Sequence, residues 1–187
     1  IRRMQLNEEL KHLTSTTGTV QIPIGGAMQI DGFGPYCQNG TTINTRTGNK
    51  ITVKALTLKI NVNLTALETT GCSVRILVVM DRKPTGANAT ITQMLEADSI
   101  LAAYNTSDNN RGRFQFYADR TIQFGAQDGH WNDKFFKKLN LNIQYDDGNA
   151  GTVADVQYGN LMIVAGAVGN SAAIDVDYGF MIKYSDT

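Results

Sequence analysis

The residue types able to do chemistry are few and scattered. His130 stands beside Asp128, Trp131 and Asp133, the one stretch where an imidazole, carboxylates and an indole meet. Such a set can act as a general acid or base only with a nucleophile or substrate group in reach, and nothing nearby argues for one. It reads as a loop or interface aromatic. Asp146-Asp147 and Asp175 with Asp177 could hold a hard cation through carboxylate oxygens, so a structural calcium is possible though unassigned. The spacing is not that of an EF-hand loop, and no other cofactor is expected. Cys37 and Cys72 form no CxxC pair, and His12 and His130 are the only histidines, which does not make a zinc site. Two reduced thiols are expected, with a Cys37–Cys72 disulfide as the alternative.

Enzyme motifs are missing too. There is no Walker loop, nucleophile elbow or HExxH, and two distant histidines cannot build the metal cluster of a cupin-type enzyme. Gly166-Ala167-Val168-Gly169 lacks the strand-to-helix setting of a dinucleotide loop and reads as a hairpin turn. The chain is expected not to be an enzyme.

The elements that position these residues are mostly strands. The chain has 187 residues, 42% hydrophobic and 18% charged, enough for one domain with a real core. No apolar run approaches the roughly 20 residues that span a bilayer, so no membrane partner is expected. Formal net charge is zero, which gives no whole-chain signature of nucleic-acid binding. The sequence opens on Ile1-Arg2-Arg3, read as a processed end, the stub of a longer basic arm, or simply two solvated arginines.

Leu6, Leu10 and Leu13 recur at helical spacing, so residues 1–17 are expected to be a basic stub and an amphipathic helix, and residues 18–187 one domain. Residues 18–49 read as extended, with short strands at most. Residues 51–64 alternate as a strand, and the opposite parity of Ile51, Val53 and Ala55 to the run from Leu56 to Leu64 predicts a bulge near Ala55. Residues 74–80 form a strand buried on both faces. Thr90 with Gln93 makes a capping box that opens a short helix carrying Ile91, Met94 and Leu95. Further strands are read at 114–118 with 121–124, 137–145, 161–166 and 174–184. Gly159-Asn160 and Gly169-Asn170 are turns suited to hairpins. About eight strands without a βαβ rhythm indicate an all-β, antiparallel jelly-roll sandwich.

The order of segments resembles a known family. The run from Ile43 through Arg46 and Gly48 to Ile51, leading into a long strand, is similar to the start of the shell domain in single-jelly-roll capsid proteins. Such proteins form small icosahedral viruses, both the Rep-encoding circular single-stranded DNA viruses and the satellite viruses of tobacco necrosis type. The strand into Asp81, Pro84 and Gly86, the helix at Leu95, and Arg113-Phe114 through Asp119 resemble their central segments. Gly159 through Ile163 and Tyr178 through Tyr184 resemble the last two strands. The resemblance places the helix between strands C and D.

It implies a virion protein made inside the host cell. Sixty copies would close a T=1 shell around a single-stranded genome, with DNA favoured over RNA. Arg2, Arg3, Lys11 and Lys59 would line the inner surface against phosphates, the first three through an N-terminal arm. The alternative is a jelly-roll lectin or receptor-binding module forming small oligomers, which would present aromatics on an exposed sheet face.

Overall fold

A computed structural model describes residues 10–65, 71–126 and 128–186. Among these residues nine strands build two antiparallel sheets. In chain order they are β1 (Lys11–Ile22), β2 (Gln29–Gly34), β3 (Lys50–Leu64), β4 (Cys72–Asp81), β5 (Phe114–Phe124), β6 (His130–Tyr145), β7 (Val156–Tyr158), β8 (Asn160–Val168) and β9 (Ile174–Asp186). One sheet runs β1-β9-β3-β6-β7 and the other β2-β8-β4-β5. This order is consistent with a jelly roll. The strand beyond the expected eight is the three-residue β7, which pairs only with the end of β6.

Alternation explains the packing. On β9, Ile174, Val176, Tyr178, Ile182 and Tyr184 are buried and meet Val74, Ile76, Val78 and Met80 of β4 in the core between the sheets. The bulge expected near Ala55 is present: β3 shifts register between Val53 and Ala55 against both β6 and β9. It lets Ile51 and Val53 share the core face with Leu56 and Leu58.

The strand β4 is buried on both faces, as its apolar run predicted. Its odd residues Leu77 and Val79 point away from the main core into a second cluster with Met94, Leu95, Ile100, Met162 and Val164. That cluster lies beneath the connection from β4 to β5, which contains the helix α1 (Ile91–Met94). The capping box forms, with the Thr90 N–H donating to Gln93 Oε1 at 2.9 Å.

Three expectations are corrected. The helix α1 joins the fourth and fifth strands, not strands C and D, because β1 and β2 occupy the region read as helix and extended chain. The helix read over residues 1–17 does not hold from Lys11 onward, where the chain is strand; Leu6 lies outside the described residues. Pairing with β9 on both sides of an irregularity between Ser15 and Gly18, with β-branched Thr14, Thr19 and Val20 in register, outweighs the leucine spacing. Finally, neither Gly159 nor Gly169 closes a hairpin. Both have positive φ, at +89° and +83°, and both turns carry the chain from one sheet to the other.

Candidate nucleic-acid interface

The outward face of the five-stranded sheet collects the charged residues that the core rejects. Register fixes four rows across it. Lys138 of β6, Ala55 of β3, Lys183 of β9 and His12 of β1 form one row; Phe136, Thr57, Met181 and Thr14 form the next. Lys134 and Lys59 then stand directly opposite each other, with Gly179 beyond. The last row is Asn132, Asn61, Asp177 and Thr19. Lys59, Lys134, Lys138 and Lys183 are all exposed, and none makes an ion pair among the described residues.

Like charges placed opposite each other on neighbouring strands repel and destabilise a sheet. Lys59 and Lys134 accept that cost without a carboxylate between them. The acidic residues gather at the far end and are engaged there. Asp177 accepts from Thr19 and Asn63, at 2.7 and 3.0 Å, and Asp175 accepts from Gln21 at 2.9 Å. The face is therefore polarised, basic toward Lys138 and Lys183 and neutralised toward Asp175. A shallow groove of about 730 Å³ runs along it, lined by Lys59, Asn61, Lys134, Asp177 and Gly179.

The predicted site residues separate. Lys59 lies in this groove. Lys11 does not reach the face: it is buried, with Nζ 2.7 Å from Asp186 Oδ2 and 3.1 Å from the Thr45 carbonyl. Its ammonium is committed within the chain. Arg2 and Arg3 lie outside the described residues. Sequence reading missed Lys134, Lys138 and Lys183, because only the cross-strand register brings them beside Lys59.

The other candidates are structural. His130 is the first residue of β6, paired with Asn63, and Asp133 is ion-paired to Arg120 at 2.6 Å across the open side of the sandwich. Asp146 accepts from the Gly148 N–H and Asp147 from Asn49, so both carboxylates order a turn. Among the described residues no group of three or more His, Cys, Asp and Glu is placed to hold a metal ion. Cys37 and Cys72 are buried and form no disulfide with each other, and burial pushes the Cys37 thiol upward. Of the aromatics a lectin would array on a sheet face, two stand exposed on this sheet among the described residues, Phe136 at 55% and, on the short edge strand β7, Tyr158 at 37%.

The family model of the satellite tobacco necrosis virus coat protein matches residues 3–187. The chain belongs to that family. It is a viral coat protein, a component of the virion, and its work is capsid assembly and nucleic-acid packaging. No curated protein matches it. The expectation of a single-stranded DNA virus is not supported, since this coat protein family is that of an RNA satellite virus.

Proposed function

We propose that this coat protein closes a T=1 icosahedral shell of sixty copies around a single-stranded RNA genome. The role is structural, without catalysis. The observation that carries the reading is the family match over residues 3–187, laid on a sandwich whose charge-bearing features are surfaces and not a cleft. Closed assembly needs heterologous contacts that meet around symmetry axes, and the connections between the strands supply distinct surfaces for them.

Packaging needs cations that are not already paired. Lys59 meets that condition and Lys11 does not, so Lys11 is withdrawn from the genome-binding set. Arg2 and Arg3 remain in it as part of an N-terminal arm. Phosphate neutralisation of this kind is independent of base sequence and weakens with salt.

Size-exclusion chromatography with negative-stain microscopy tests the shell. Sixty chains of 20.4 kDa give a particle of roughly 1.2 MDa. A species below about 100 kDa in mild salt, with no particles, rules the shell out and favours a small oligomer. Nucleic acid extracted from the particles should be degraded by RNase and resist DNase.

A further inference from the structure

Two apolar side chains, Phe136 and Met181, stand in the row between the two basic rows of the face. Phe136 projects from β6 between Lys134 and Lys138, two residues away on either side, and is 55% exposed. Its neighbours across the sheet are Thr57 and Met181. Burying a phenylalanine stabilises a fold by about 2–3 kcal/mol, so an exposed one on a flat sheet face gains nothing for the monomer. The core does not need it there, because Phe135, the adjacent residue of opposite parity, already packs inward.

We propose that Phe136 is a base-stacking platform, and that the Lys59, Lys134, Lys138 and Lys183 ammonium groups around it hold the phosphates of an unpaired RNA strand. The proposal rests on the packaging of a single-stranded genome. Successive same-face residues on a strand are about 7 Å apart, so cations lie one step to each side of the ring. A base laid on Phe136 then has its flanking phosphates directed at Lys134 on one side and Lys138 on the other. Gly179 and Ala55, the small residues of the two basic rows, keep the approach open.

Charge alone does not distinguish single strands from duplex, since both present phosphates. An aromatic ring does, because only an unpaired base offers a free π-face. The acidic end at Asp175 and Asp177 gives the strand a direction of exit, away from the carboxylates. The occupant is thus single-stranded RNA and not a second copy of this chain, whose docking on four uncompensated lysines would need an acidic patch opposite them.

The test is fluorescence anisotropy on unassembled full-length subunits, using a labelled short single-stranded RNA and the matching blunt duplex over a salt series. Phe136→Leu should weaken single-strand binding at least about fivefold, with duplex affinity and the salt slope unchanged. Phe136→Trp should keep the affinity and show indole fluorescence quenched by the single strand. Lys134→Gln with Lys138→Gln should weaken both RNAs and flatten the salt slope by about one per lysine. Equal affinities for wild type and Phe136→Leu overturn the proposal, as does an equal loss on duplex. So does a Phe136→Leu protein that binds RNA normally but no longer forms particles, which assigns the face to contacts between copies. Failure of the wild type to form particles refutes the shell; if the single-strand selectivity persists there, the stacking platform stands.

Discussion

Arg113 and Asp81 face each other side-on: Nε lies 2.9 Å from Oδ1 and Nη2 2.7 Å from Oδ2, with Asp81 wholly excluded from solvent. The Lys83 backbone N–H donates to the same Oδ1 at 2.9 Å. This pair pins both ends of the insertion, since Asp81 closes β4 and Arg113 precedes β5. A buried pair is costly to break because the partner left behind has lost its solvent. Asp81→Asn should therefore destabilise the subunit by about 3 kcal/mol in urea unfolding. Replacing both residues with apolar ones of similar volume should cost less. An unchanged midpoint for Asp81→Asn would remove the pair from any account of stability.

A second ion pair, between β4 and β5, responds to pH. Arg75 places Nε 2.9 Å and Nη2 2.6 Å from the two oxygens of Asp119, and its Nη1 donates to the Ile100 and Ala102 carbonyls. The Arg75 guanidinium holds the Asp119 carboxyl below the ordinary carboxylate range, and the Tyr104 hydroxyl at 2.6 Å adds to this. The unfolded chain then binds the proton more readily than the folded one. Stability from Asp119 is complete above the unfolded value of about 3.9 and is lost as pH falls through the lower folded value. Melting temperatures measured between pH 2 and 6 should fall more steeply for wild type than for Asp119→Asn. Parallel curves would show that Asp119 contributes no such linkage.

The second hydrophobic cluster makes a separate prediction. Leu95 and Met94 are buried, at 0% and 1% exposure, over Leu77 and Val79 of β4. Leu95→Ala should cost about 2–5 kcal/mol, the range for cavities that surrounding side chains only partly fill. Leu101, 84% exposed in the same insertion, should tolerate Ala within about 0.5 kcal/mol. Hydrogen exchange should show the loss spreading from residues 89–102 into β4. Equal effects of the two substitutions would mean that the cluster is not a packed unit.

How much of this was readable in the sequence depended on whether the deciding contact was local. The bulge near Ala55 follows from a parity change along one strand, and the capping box from Thr90 and Gln93 alone. The double burial of β4 shows in an unbroken apolar run. The strand β1 was not readable, because Leu6, Leu10 and Leu13 have helical spacing and only pairing with β9 settles the matter. Lys11 looked like a free cation for the same reason: its carboxylate partner, Asp186, is at the other end of the chain. The basic face was hidden most completely. Lys59, Lys134, Lys138 and Lys183 come from three strands, and no local pattern sets them side by side.

Arg46 provides the last test, since it is a buried cation with no carboxylate among its hydrogen-bond partners in the described residues. It is 1% exposed and donates to the Cys37 carbonyl at 3.1 Å, the Gly148 carbonyl at 2.6 Å, Asn49 Oδ1 at 3.1 Å and the Gly48 carbonyl. Its guanidinium also lies 4.4 Å from the centre of the Tyr145 ring. Five forked donors and a flat face are what let one side chain tie the 37–49 segment to the 146–148 turn. Lysine keeps the charge but offers three donors from one point and does not stack. Arg46→Lys should therefore lose about 3 kcal/mol, the sum of two or three charged hydrogen bonds in a site closed to water. Limited proteolysis should then cut first within residues 38–49, before the sheets open. Wild-type stability in Arg46→Lys, with that segment still protected, would show that charge alone holds the two loops together.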